Sequence, residues 1–305
     1  MEPTDRLRGV FSPVITPFAA ELSPDASRLV RHCRWLLSQG VGLAVFGTNS
    51  EANSMSVGEK IGLLDALIDA GVPPARMMPG TGCCALTDTV ELTRHAVRHR
   101  AGGVLMLPPF YYKGVSDDGL FASYSEVIQR VGERGLRIYL YHIPQVSQVP
   151  ISLALIERLL DAYPDVIAGV KDSSGDWSNT QAMLERFQPR GFDVFAGSES
   201  FLLATLRGGG AGCITATGNV NPGPIAQLYR RWQDTDADVR QKALDAVRNA
   251  FQKFPMIPAL KAAIRHFSGD EGFDAVRPPL VRLAAAQREQ LVASLLPLGF
   301  AMPGL

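Results

Sequence analysis

No stretch of the 305-residue chain reaches about 18 uninterrupted apolar residues, so no segment has the length of a membrane-spanning helix. The opening residues, MEPTDRLRGVF, contain no apolar core of the kind a secretory leader needs. An excess of one charge is missing too: 30 Lys and Arg face 30 Asp and Glu. Without a basic stripe or a block of like charges, no long-range field draws in nucleic acid or an anionic membrane. The four cysteines, Cys33, Cys83, Cys84 and Cys213, are too few for a disulfide framework, and none has the C-x-x-C spacing of a zinc or redox site. Cys83 and Cys84 read as small buried fillers. These absences leave a cytoplasmic location and a small-molecule partner as the expectation.

What is present is a globular composition, 46% apolar and 20% charged. Eight short apolar runs punctuate the first 220 residues: GVFSPVI (9–15), VGLAVFG (41–47), RMMPGTG (76–82), GVLMLPP (103–109), RIYLYHI (137–143), VIAGVKD (166–172), FDVFAGS (192–198) and GCITATG (212–218). Most are continuously apolar rather than alternating, as in strands buried on both faces. Helical patterns separate them. DASRLVRHCRWLLSQG puts Leu29, Val30, Cys33, Leu36 and Leu37 on one face, and SVGEKIGLLDALIDAG opens with the Ser56–Glu59 capping-box spacing. Gly208–Gly210 follow a helix and read as its stop, not as a phosphate loop. Eight strands alternating with helices predict an α/β fold, a (β/α)8 TIM barrel. Residues 1–223 carry the eight strands. Residues 224–305 hold the last barrel helix and a C-terminal helical extension, with helical patterns at 224–234, 236–254, 256–268 and 278–296.

In such a barrel the chemistry sits at the C-terminal ends of the strands. Those ends carry GTNSE (47–51), PPFYY (108–112), YHIP (141–144), VKDSSG (170–175), GSES (197–200) and TATGN (215–219). Lys171 stands out as an amine closing an apolar run. A lysine in water titrates near 10.4, so only about one in a few thousand is a free amine at neutral pH. An apolar wall disfavours the ammonium, and the free amine can then form a Schiff base with a carbonyl. The plainer alternative is a lysine that snorkels from a strand end. Tyr141 ends the preceding run, close enough across adjacent strands to move protons beside Lys171, or else to serve as a packed aromatic. The turn after the second run offers backbone N–H groups and the Thr48 hydroxyl to a carboxylate. Glu91, His95 and His99 share one helix face with spacing a metal could use. Arg94, Arg98 and Arg100 beside them favour a solvated surface instead.

Together these motifs resemble the dihydrodipicolinate synthase / N-acetylneuraminate lyase family. They are the Gly-Thr turn, Tyr-x-x-Pro at 141–144, VKDSSGD at 170–176 and G-G-A-G at 209–212. The resemblance spans nearly the whole chain. It implies a class I lyase that forms a lysine Schiff base with pyruvate or another 2-oxo acid and makes or breaks a carbon–carbon bond. It places the Schiff-base lysine on Lys171, the proton-shuttling tyrosine on Tyr141 and the hydroxyl of the turn on Thr48. A second tyrosine, lent across a subunit interface, falls on Tyr111, with Tyr112 as the alternative. The imine is itself the electron sink, so neither metal nor organic cofactor is expected.

The departures from the family pattern concern the second substrate. Asn49 and Ser50 replace a Thr and a Gly of the turn, and Val146 stands where lysine-pathway synthases carry an arginine. That arginine would hold a distal carboxylate, so the lysine-pathway role is not expected. YHIP and Glu199 are similar to sialic-acid lyases, but Ala216 replaces a serine they often carry. Asn49, Ser50, Glu199, Thr215 and Val146 are therefore the expected substrate contacts. A dehydratase of a 2-keto-3-deoxy sugar acid would use the same imine. A non-catalytic barrel that binds a 2-oxo acid for regulation is the reading from another class. The resemblance further implies a homo-oligomer, a tetramer built as a dimer of dimers.

Overall fold

The computed structural model describes residues 6–305. Seven parallel strands are β1 (Gly9–Ser12), β2 (Gly42–Leu43), β3 (Val104–Met106), β4 (Ile138–His142), β5 (Ile167–Asp172), β6 (Asp193–Ala196) and β7 (Gly212–Ile214). Their order in the sheet is β2-β1-β7-β6-β5-β4-β3. Every residue of these strands is buried, as the continuous apolar runs require. The helices are α1 (Ala26–Ser38), α2 (Val57–Asp69), α3 (Leu86–Arg98), α4 (Asp117–Val131), α5 (Pro144–Ser147) and α6 (Leu153–Ala162). They continue as α7 (Trp177–Phe187), α8 (Leu202–Arg207), α9 (Pro222–Arg230), α10 (Ala237–Gln252), α11 (Met256–Ser268) and α12 (Ala285–Leu295). The strand–helix alternation is that of the expected α/β barrel class.

The third apolar run departs from the expected eight strands. It makes isolated bridges instead of a strand, one of them parallel from Gly80 to Leu105. The Pro79 carbonyl accepts from Leu105 N at 2.8 Å and Thr81 N donates to the Leu105 carbonyl at 3.0 Å. Pro79 has no N–H to extend the ladder, and Gly80 and Gly82 add no side chains to pack, so the run pairs without becoming a strand.

Contacts gather the chain into two compact units. One comprises the N-terminal stretch through Gly9 with Pro73–Cys213, and the other comprises Val10–Val72 with Ile214–Leu305. The first holds β3 to β6, most of β7 and α3 to α8. Here α8 stops on Gly208 and Gly209, the latter at φ +79°, as the glycine run implied. Cys83 and Cys84 are not both buried: Cys83 is half-buried and Cys84 exposed, because they lie in the loop that leads into α3.

The second unit holds α1, α2 and α9 to α12. Asp25 caps α1 by accepting from Arg28 N at 2.9 Å. The buried stripe of α1 is Leu29, His32, Cys33, Trp35 and Leu36, rotated from the expected one, with Val30 and Leu37 half-buried. Positions 29, 32, 33 and 36 follow the i, i+3, i+4, i+7 rule, so the polar His32 lies inside the stripe. It stacks on Trp35, with ring centroids 5.7 Å apart, and meets the Asn219 side-chain oxygen at 3.3 Å. The Ser56–Glu59 capping box forms as expected, its two hydrogen bonds measuring 2.8 and 3.2 Å. Helix α12 starts at Ala285 rather than 278, where the Gln287 side chain caps Ala284 N at 3.0 Å.

Candidate active site

In the first unit the register of three strands places the chemistry. Tyr139 pairs with Gly169 and Tyr141 with Lys171; Gly169 pairs with Asp193 and Lys171 with Phe195. Side chains alternate along a strand, so Tyr139, Gly169 and Asp193 form one layer on a shared face. Tyr141, Lys171 and Phe195 form the next layer towards the C-terminal ends. Glycine is required at 169, where a Cβ would overlap the Asp193 carbonyl oxygen and crowd the Tyr139 ring. In the upper layer Lys171 Nζ stands 4.2 Å from the centroid of the Tyr141 ring. Both side chains are buried. An ammonium there is attracted to the ring face, and a free amine is held beside a phenol.

The residues around the pair explain the rest of the motif. Asp172 points to the opposite face and accepts from Ser174 N (2.9 Å), Ser174 Oγ (3.1 Å) and Thr180 Oγ1 (2.6 Å), which ties the end of β5 to α7. Ser173 N donates to the His142 carbonyl at 2.7 Å, continuing the ladder beyond β5. His142 Nδ1 accepts from Ile151 N at 3.0 Å, which leaves the ring proton on Nε2. Burial pushes the His142 pKa down, against the pull of the Asp172 carboxylate. These contacts fix the backbone on both sides of Tyr141 and Lys171.

Four other expected residues lie in this unit. Glu199 is fully buried, just past β6, in a turn capped by Ser198 Oγ accepting from Ser200 N at 3.1 Å. Val146, on α5, is 61% exposed. Tyr111 and Tyr112 are 73% and 72% exposed, their rings perpendicular and 5.4 Å apart. Their loop is fastened by Lys113, whose Nζ donates to the Phe110 carbonyl and, at 2.8 Å, to the Ser147 carbonyl. On α3, His95 and His99 contact each other with centroids 4.6 Å apart, while Glu91 is exposed.

In the second unit Thr48, Asn49 and Ser50 form a 3-10 turn after β2. Ser50 braces this turn: its hydroxyl accepts from Gly47 N at 3.1 Å and donates to the Val14 carbonyl. Its own carbonyl accepts from Thr16 Oγ1 at 2.8 Å. Thr215 is fully buried just past β7, and Arg248 Nη1 on α10 lies 3.2 Å from its hydroxyl. Sequence reasoning missed Arg248, and it missed the buried pair Glu51 and Lys261. Both cations sit in helical patterns far along the chain, where nothing in the spacing marks a lysine or arginine as internal.

Comparison with known proteins places the chain in a family. The family model described as the dihydrodipicolinate synthetase family matches residues 6–296. An uncharacterized DapA-like lyase of Chloroflexus aurantiacus is 35% identical over 280 residues, 91% of this chain and 92% of that protein. Dihydrodipicolinate synthase from Agrobacterium tumefaciens superposes with a TM-score of 0.87 at 32% identity, covering 95% of this chain and 99% of that one. YagE, a prophage protein of the dihydrodipicolinic acid synthase family from E. coli K12, solved in complex with pyruvate, gives 0.88 at 27% identity over 96% and 99%. A parallel α/β architecture, a buried lysine paired with a tyrosine across neighbouring strand ends and a match along almost the full length lead to one conclusion: the chain belongs to the dihydrodipicolinate synthetase family.

Proposed function

We propose that Lys171 Nζ attacks C2 of pyruvate, or of a longer 2-oxo acid that contains it, and that the imine so formed makes or breaks the carbon–carbon bond at C3. Family membership makes the chain a Schiff-base-forming lyase of the class I aldolase type; the substrate and the residue roles are the proposal. The amine adds to C2 and the carbinolamine loses water. The protonated imine draws electrons from C3, whose proton leaves to give an enamine. The enamine carbon adds to an aldehyde carbonyl, and hydrolysis frees the product and Lys171. Cleavage runs the same steps backwards. The observation that carries this reading is the buried Lys171 amine held 4.2 Å from the Tyr141 ring by strand register. A phenol fixed there can carry protons to and from the carbinolamine.

The remaining roles rest on the family resemblance. Thr48 and Tyr111 complete the relay, the backbone of Thr48 and Asn49 grips the carboxylate, and Glu199 and Asn49 meet the second reactant. Val146 is apolar and exposed, which supports a reactant without a carboxylate at that point. The exposed Tyr111–Tyr112 loop supports a homo-oligomer in which a neighbouring copy covers it. The solved complex of YagE with pyruvate supports pyruvate as the first reactant.

The deciding experiment is incubation with pyruvate and borohydride, followed by mass spectrometry of peptides. The expected result is a reduced pyruvate adduct on Lys171 that disappears in Lys171→Ala. An adduct that persists in that variant, or no adduct on the parent protein, would defeat the Schiff-base assignment.

A further inference from the structure

The second unit buries an ion pair for which the reaction has no direct use. Lys261, on α11, is wholly inaccessible, and its Nζ donates to the Glu51 carboxylate and, at 2.6 Å, to the Ala275 carbonyl. The other carboxylate oxygen of Glu51 accepts from Arg277 N at 2.8 Å. Phe18 packs against both cations, with Lys261 Nζ 4.5 Å and the Arg277 guanidinium carbon 4.7 Å from its ring centroid. Burial pulls the Lys261 pKa down to about 8, against the opposing pull of Glu51. So deep a lysine, already bonded twice, is no second nucleophile.

Its position in the chain suggests a use. Glu51 closes the Thr48–Ser50 turn, and its N–H donates to the Thr48 carbonyl at 3.1 Å. It does so at φ +57°, in the left-handed region that a residue with a Cβ disfavours. A side chain held at its far end by Lys261 and Arg277 N keeps the backbone there. Ser50 holds the turn from the other side through Val14 and Thr16.

We propose that Lys261 is a positioning residue: by holding Glu51 it sets the direction in which the Thr48–Ser50 turn presents its N–H groups to the substrate carboxylate. The inference rests on the reading of that turn as the carboxylate grip. Lys261 touches no substrate in this scheme. Its contribution is a backbone that is already aligned before the 2-oxo acid arrives.

The test measures borohydride-fixed Lys171 adduct against carbonyl concentration, for pyruvate and for hydroxyacetone, a ketone without the carboxylate. In Lys261→Met the half-saturating pyruvate concentration should rise about tenfold or more, and that for hydroxyacetone by less than about threefold, the pattern of a misaligned charged hydrogen bond. Glu51→Gln should give the same pattern and serves if Lys261→Met does not fold. A double variant, Glu51→Met with Lys261→Met, removes both buried charges. It should melt at a higher temperature than Lys261→Met alone, yet keep the raised pyruvate requirement. An equal shift for both ketones, or recovery of pyruvate saturation in the double variant, would make the pair a packing element and overturn the inference. An adduct on the parent protein with unchanged saturation in the variants would overturn it as well. No adduct on the parent would instead overturn the reading of Lys171.

Discussion

Replacing Tyr141 with phenylalanine removes one oxygen and leaves the ring where it is. The ring packs in the layer with Lys171 and Phe195, so the fold should survive while the proposed proton path is lost. Turnover should fall about 10²–10⁴-fold, with a melting temperature close to the parent's; a fall of less than about threefold would assign the phenol a packing role only. His32 carries a second expectation at this scale. It is fully buried, and burial pulls its pKa from 6.5 to about 4, with the Asn219 contact opposing. Between those values the unfolded chain binds a proton that the folded chain does not. The stability is therefore complete above pH 6.5 and is lost as pH falls through about 4. The difference amounts to about 3 kcal/mol at most. Denaturant midpoints for the parent and for His32→Gln across this range should diverge, with the variant the less acid-sensitive. Parallel curves would reject the assignment.

The elements are held by short-range devices that can be removed singly. The α2 capping box joins Ser56 to Glu59, and the Glu59 carboxylate also accepts from Arg277 Nη1 at 3.0 Å. Ser56→Ala should cost about 1 kcal/mol of unfolding free energy, measured by denaturant titration. The Arg277 guanidinium lowers the Glu59 pKa to about 2. The ion pair is therefore present above pH 4.5 and lost as pH falls towards 2, so Arg277→Met should reduce stability at neutral pH more than at pH 2. Equal destabilisation at both pH values would show that Arg277 acts through its bonds to backbone carbonyls. Strand β5 illustrates a different constraint. Gly169→Ala should destabilise strongly, because the added Cβ overlaps the Asp193 carbonyl oxygen and the Tyr139 ring.

For the whole molecule the expectation concerns assembly. Two large aromatics exposed on one fastened loop are unusual on a monomer's surface. If a second copy covers that loop and shares Tyr111, mixing Lys171→Ala with Tyr111→Phe subunits should restore activity to a fraction of the sites. In a mixed dimer, one site then holds both native residues. A fully active monomer in sedimentation would reject this. Among the described residues no helix is long and apolar enough to cross a membrane, in keeping with the distribution of apolar residues in short runs.

The parallel α/β class, the helix stops and caps, and the pairing of Lys171 with Tyr141 were legible from residue order. Each depends on neighbours in sequence or on the rule that catalytic groups end barrel strands. Among the described residues seven of the eight expected strands formed, and the third run stopped at isolated bridges, with Pro79 unable to donate. The inward turn of His32, the bracing role of Ser50 and the exposure of Cys84 were not legible. They depend on a rotation of one residue about a helix or on contacts with segments far away in sequence. The same holds for Lys261 and Arg248. A lysine 210 residues from its carboxylate partner looks like any other helix cation in sequence, and only packing against Glu51 and Phe18 makes it internal, because burying that charge is tolerable only where a partner already waits.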